Sequence, residues 1–123
     1  MIGIRNVGSA ATSSQIVFTV TNYSPITGLS ATPLANPTIT IGFTTYTLSN
    51  ASWTITSTAS ALTFMSNAGV FINPGATMFL GIRITRAAGA NGSVTHSSTI
   101  TPGTGGLETP TNNNSISNTL LKN

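Results

Sequence analysis

The chain is 123 residues long, with four Lys or Arg, one Glu, one His, no Asp and no Cys, giving a net charge of +3. Its formal charges are Arg5, Arg83, Arg86, Lys122 and Glu108, which excludes paired-carboxylate hydrolysis by a single copy and any disulfide framework. Thr, Ser and Asn contribute 23, 15 and 12 residues, so neutral hydrogen-bonding side chains take the surface role that Lys and Glu usually fill. This length suits a single domain, residues 1–123, with one self-sufficient core.

Ile2-Gly-Ile-Arg-Asn-Val7 opens the chain with enough apolar character for a strand, and residues 1–8 are read as an edge or exchanged strand. Gln15 to Tyr23 alternates, placing Ile16, Phe18 and Val20 on a core face and Thr19 and Thr21 opposite. Thr38 to Leu48 holds Ile39, Ile41 and Phe43 in phase and Tyr46 and Leu48 out of phase, predicting a bulge or turn near Thr44 and Thr45. Ser52 to Ser57 turns Trp53 and Ile55 inward, and after a short loop Ala61 to Ser66 does the same with Leu62 and Phe64. Asn73-Pro74-Gly75 is the strongest turn signal. Beyond it, Met78, Leu80, Ile82 and Ile84 alternate with Phe79, Gly81, Arg83 and Thr85, the predicted longest strand, which the small residues Ala87 to Gly92 close. Val94, His96, Ser98 and Ile100 share one face of the return strand, Pro102 to Asn114 is a long connection, and Ser115 to Leu121 is a last strand carrying Ile116 and Leu120.

Helical apolar spacing is absent throughout, so the expected class is all-β. About eight or nine short strands at regular spacing predict a Greek-key sandwich of immunoglobulin type.

The four cations are scattered between positions 5 and 122, whereas a nucleic-acid footprint needs a dense basic stripe, so no nucleic-acid partner is expected. No apolar run approaches the roughly 20 residues that span a bilayer, and membrane insertion is not expected either. Met1-Ile-Gly-Ile-Arg5 lacks the charged n-region and long apolar h-region of a signal peptide.

A nucleophilic triad around His96 would have Glu108 alone to orient the ring, and His96 reads as an imidazole bonded to a backbone group. Gly103-Thr-Gly-Gly106 lacks the Lys and helix of a phosphate cradle and reads as a flexible loop. No catalytic, cofactor-binding or metal-binding set is expected. Thr-x-Thr recurs at Thr19, Thr38, Thr45, Thr54 and Thr99, the usual composition of a wet strand face. Trp53 and Phe64 read as core, whereas Phe79 beside Arg83 is the candidate interface. Asn22, Asn50, Asn91 and Asn113 open Asn-x-Ser sequons, expected from composition alone.

Four stretches, taken in order, resemble one family: V-F-T-V-T-N-Y-S-P (Val17 to Pro25), N-A-S-W-T-I-T (Asn50 to Thr56), I-N-P-G-A-T (Ile72 to Thr77) and G-T-G-G-L-E-T-P-T-N-N-N-S (Gly103 to Ser115). They are similar to the bacterial conserved-repeat Ig-like domains of Bacteroidetes surface adhesins and secreted fibres, over roughly residues 12 to 121. The resemblance implies an extracellular or cell-surface sandwich serving as stalk, spacer or assembly module, and it supplies no catalytic residues. Such repeats often carry Asp near the final Asn-Asn segment. Here Thr111 precedes Asn112, which removes a carboxylate that Ca²⁺ would need.

The expectation from the sequence is therefore a non-enzymatic structural subunit or repeat of a bacterial extracellular fibre or surface adhesin. Its partners are copies of itself, Ile2, Ile4 and Val7 fill apolar pockets of a neighbour by β-strand addition, and neutral faces stack. A glycan- or host-binding adhesin module using Phe79 and Arg83, and a phage virion or tail-fibre decoration domain, are the alternatives.

Overall fold

The computed structural model describes residues 1–21, 29–58, 60–86, 92–106 and 115–122. Asn22 and Tyr23, the closing segment 87–91, the part of the long connection from Leu107 to Asn114 with Glu108, and the sequons at Asn22, Asn91 and Asn113 lie outside the described residues, as do the side chains of Ile116 and Leu120.

Among the described residues the chain forms eleven strands: β1 (Ile2–Arg5), β2 (Val17–Thr21), β3 (Leu29–Pro33), β4 (Thr38–Ile41), β5 (Thr44–Thr47), β6 (Trp53–Ser57), β7 (Ala61–Ser66), β8 (Thr77–Leu80), β9 (Ile82–Arg86), β10 (Gly92–Ile100) and β11 (Ser115–Lys122). A 3-10 turn at Asn50–Ser52 is the one helical element among them. The protein is all-β, as its alternation predicts, and every pairing is antiparallel.

One sheet has five strands in the order β11-β10-β2-β7-β6. Its register sets Phe18 opposite Phe64, Val20 opposite Leu62 and Ile55 opposite Phe64, so the period-two apolar residues of three strands fall on one face. Phe18 and Phe64 meet with ring centroids 5.9 Å apart at a tilt of 47°. Small Ser66 lies opposite Trp53, which leaves room for the indole on that face. Covering this face are Ile4 of β1, Ile72 and Leu80 of β8, with Ile2, Met78 and Ile82 at the margin. The core thus lies between the five-stranded sheet and the β1–β8 ribbon, and each large side chain buried there contributes roughly 1.5–3 kcal/mol.

The opposite face of the five-stranded sheet is polar. Thr99, Thr19, Thr63 and Thr56 stand opposite one another across four successive strands, which places part of the Thr-x-Thr pattern in one rank on the wet side.

Three local departures from the sequence reading have physical causes. Thr38 to Leu48 forms the two strands of a hairpin, because Gly42 adopts φ +61° and the chain reverses at Gly42-Phe43. A Gly at the first central position of a two-residue loop is the signature of a type II′ turn. The segment predicted as the longest strand breaks at Gly81 into β8 and β9, and the longest strand is β10. Gly103 to Gly106 is tied down, since Gly105 donates to the Gln15 carbonyl (2.9 Å), Ser13 donates to the Gly105 carbonyl (2.8 Å), and the Thr104 hydroxyl accepts from Val17 N–H (3.1 Å).

Candidate self-association surfaces

β1 pairs with β8 of its own chain, with Ile2 opposite Leu80 and Ile4 opposite Met78. Ile4 is 5% exposed within the core, Ile2 packs at its margin, and Val7 lies beyond the strand at 71% exposure. Ile2 and Ile4 therefore share the apolar face of one strand, and Val7 stands apart in solvent. Asn6 anchors the end of β1. Its Nδ2 donates to the carbonyls of Ala10 and Ile72 (both 2.8 Å), its Oδ1 accepts from Gly8 N–H (2.9 Å), and its backbone joins Ala76 and Gly75.

That backbone pairing fixes the phase of the ladder. Asn6 bonds toward Ala76, so alternation turns the amides and carbonyls of Ile2 and Ile4 toward β8 and those of Gly3 and Arg5 away from it. Among the described residues no strand pairs on that outer side. β1 is thus an edge strand, and Arg5 is its only charge. Its removal would uncover Leu80 and Met78 and take Ile4 out of the core, so residues 1–8 are integral to the folded chain.

Phe79 is half-buried, capped by the Tyr46 ring at 5.2 Å in an edge arrangement of 69°, and a Cβ on Gly3 would meet its ring at 3.2 Å. Arg83 is exposed and stands opposite Thr32 of β3. It borders a cleft of about 170 Å³ with Thr32, Pro33, Leu34, Ala35 and Asn36. The sequence reading joined Phe79 and Arg83 as one interface; Tyr46, arriving from the β4–β5 hairpin, covers the first and leaves the second in the open. The large apolar residue displayed most fully is instead Phe43 at the hairpin tip, at 110% exposure. The Gly42-Phe43 turn signal was the feature that could have found it.

The β8–β9 break is held by an amide. Asn50 Nδ2 donates to the carbonyls of Leu34 (2.8 Å) and Gly81 (2.9 Å), and Asn50 Oδ1 accepts from Gly81 N–H (3.0 Å). Gly81 leaves no space for a Cβ, which would run into Leu48 Cδ1 and lie 2.9 Å from Leu34 Cδ1. The sequon nitrogen of Asn50 is therefore occupied by two backbone acceptors, and a glycan there would cost both bonds.

His96 is buried at 5% exposure, and its Nδ1 lies 2.9 Å from the Thr21 carbonyl. A carbonyl only accepts, so Nδ1 carries the proton, and Nε2 is left buried without a partner. The imidazole is bonded to a backbone group, as its place in an alternating strand suggests. Among the described residues no three His, Cys, Asp or Glu side chains gather into a metal-binding group, and no helix is long and apolar enough to cross a membrane.

Comparison with protein-family models, with characterised proteins and with solved structures finds no match in any of the three.

Proposed function

We propose that the chain is a non-enzymatic structural subunit or repeat of a bacterial extracellular fibre or surface adhesin, that its fold is an Ig-like Greek-key sandwich, and that it associates with copies of itself by β-strand addition. The strand order supports the Ig-like reading. An immunoglobulin domain sets strands A, B, E and D in one sheet and C, F and G in the other. Here β10-β2-β7-β6 has the neighbour relations of A-B-E-D, and β3 and β1 flank the β9 and β8 halves of a broken F strand as C and G would. The first and last strands have exchanged places: β1 lies in the slot of G, and β10 lies beside β2 in the slot of A.

This exchange is the observation that carries the proposal. The edge of β8 is completed by the first strand of the chain, running antiparallel as G would, with Ile2 and Ile4 directed into the core. The same strand from a neighbouring copy offers identical hydrogen bonds and identical apolar side chains, so the slot can be filled in cis or in trans. The near absence of charge removes the repulsion that keeps most proteins apart.

Negative-stain electron microscopy of the concentrated protein tests it. The expected result is filaments with a subunit rise of roughly 30 to 45 Å, one sandwich length for strands of this kind. Dispersed particles at every concentration would contradict the filament reading, and specific glycan-array binding by a monomer would favour the adhesin-tip alternative.

A further inference from the structure

We infer that the β4–β5 hairpin is a docking arm for a second copy of this chain, with Phe43 at its tip seated in the cleft that Thr32 to Asn36 and Arg83 form on that copy. The hairpin is built like an arm. β4 and β5 pair only with each other, and the described contacts tying them to the body lie toward the base: the Tyr46–Phe79 ring contact and the bonds from Leu48 N–H to the Pro37 carbonyl (2.7 Å) and from Ser49 N–H to the Phe79 carbonyl (2.8 Å). A two-stranded hairpin alone in water is marginal at best, so a further covering surface gives it support. Ile41 is 49% exposed beside Phe43 at the tip, and no charge of either sign occurs from Thr38 to Thr47.

The receiving cleft is on the same chain. Its residues directly precede β4, and they offer Pro33, Leu34 and Ala35 as apolar lining with the exposed Arg83 at the border. An aromatic ring beside a guanidinium gains a cation–π contact, so the single charge of the cleft complements the ring that enters it. Tip and cleft stand at opposite ends of one hairpin, about 17 Å apart for five residues of extended chain. Two hairpins laid side by side in opposite directions therefore bring each tip to the other's cleft at once, and a single two-fold axis satisfies both contacts. Their open edges then face each other and can join the two ribbons into one sheet.

The area is of the right order. A Phe side chain buries roughly 150–250 Å² and covers a similar area of its pocket. Two reciprocal contacts give about 600–1,000 Å², and the paired hairpin edges bring the total toward the ~1,200 Å² at which stable interfaces begin. Nothing in this contact uses β1, so the dimer is independent of strand exchange.

Sedimentation equilibrium tests it on protein in which an Arg5→Cys/Thr77→Cys disulfide holds β1 on β8, so that strand exchange does not contribute. The expected mass is twice the 12.5 kDa chain. Phe43→Ser, which removes the tip, and Ala35→Trp, which fills the cleft, are each expected to give monomers. Both positions are exposed, so both variants should melt with the parent. A monomeric parent, or a dimer that persists in either variant, overturns the inference. So does a monomer that binds neutral phospholipid vesicles through Phe43, which would make the tip a membrane contact.

Discussion

Replacing Asn50 by Ala removes the amide that joins three segments of the chain. Of the backbone groups it serves, the Gly81 carbonyl keeps a second donor in Leu34 N–H at 2.9 Å, while the Leu34 carbonyl and the Gly81 N–H lose the partner they have here. Gly81 is buried and Leu34 half-buried, so water does not readily replace what is lost. Each orphaned buried group costs about 1–3 kcal/mol, which puts the Ala variant about 2–5 kcal/mol below the parent. At about 4 °C per kcal/mol for a domain of this size, the melting temperature should fall by about 8–20 °C. Circular dichroism melts of the parent, Asn50→Ala and Asn67→Ala make the comparison. Asn67 also bonds through both amide atoms, to Thr54 and Ala51, but in exposed positions, and its loss should cost no more than about 1 kcal/mol. Asn50→Asp adds a sign test, because the new carboxylate can still accept from Gly81 but faces two carbonyls with its other oxygen. Its folded pKa is raised above the unfolded one, so the deficit relative to the parent shrinks as pH falls through that range and is largest at neutral pH. An Asn50→Ala variant within about 0.5 kcal/mol of the parent would refute the clamp.

Trp53→Phe should change stability by no more than about 1 kcal/mol, since the volume lost is offset by removing a buried indole N–H that has no acceptor; Trp53→Ala should cost about 3–5 kcal/mol. Urea denaturation followed by circular dichroism separates the two, as Trp53 is the chain's only Trp. Gly81→Ala should cost about 1–3 kcal/mol in the same assay, because its Cβ displaces buried Leu48. A chain lacking residues 1–8 should lose its cooperative melt, and a synthetic peptide of residues 1–8 added in trans should restore it; a truncated chain that melts like the parent would mean that β1 contributes nothing to the core.

Period-two alternation made much of the core readable. Ile16, Phe18, Val20, Leu62, Phe64 and Trp53 are buried where their spacing put them, because a half-covered sheet imposes its two faces on the sequence. Gly81 defeated the same rule. The apolar rhythm runs unbroken from Met78 to Ile84, and the interruption comes from Leu34, Leu48 and Asn50, which reach Gly81 from remote parts of the chain. β3 was not anticipated, since Leu29–Pro33 carries small residues and a Pro and takes its strand form from pairing with β9. At the candidate surfaces, the alternation of Ile2 and Ile4 with Gly3 and Arg5 marked β1 as a strand, but the identity of its partner is a long-range pairing that spacing does not encode. Phe79 and Arg83 share a parity along the chain, and the ring that separates their exposures belongs to a hairpin more than thirty positions earlier.

The central claim is that the first strand, which here completes its own chain, can complete a neighbour instead. Arg5 and Thr77 face each other across β1 and β8 at a non-hydrogen-bonded pair, where Cα atoms approach closely enough for a disulfide. With no other Cys in the chain, Arg5→Cys/Thr77→Cys gives a lock that can be closed and opened in one sample. Electron microscopy before and after reduction is the direct measurement. Filaments should be absent while the lock is oxidised and should grow once it is reduced; filaments that form equally with the lock closed, or that never form once it is open, would contradict strand exchange.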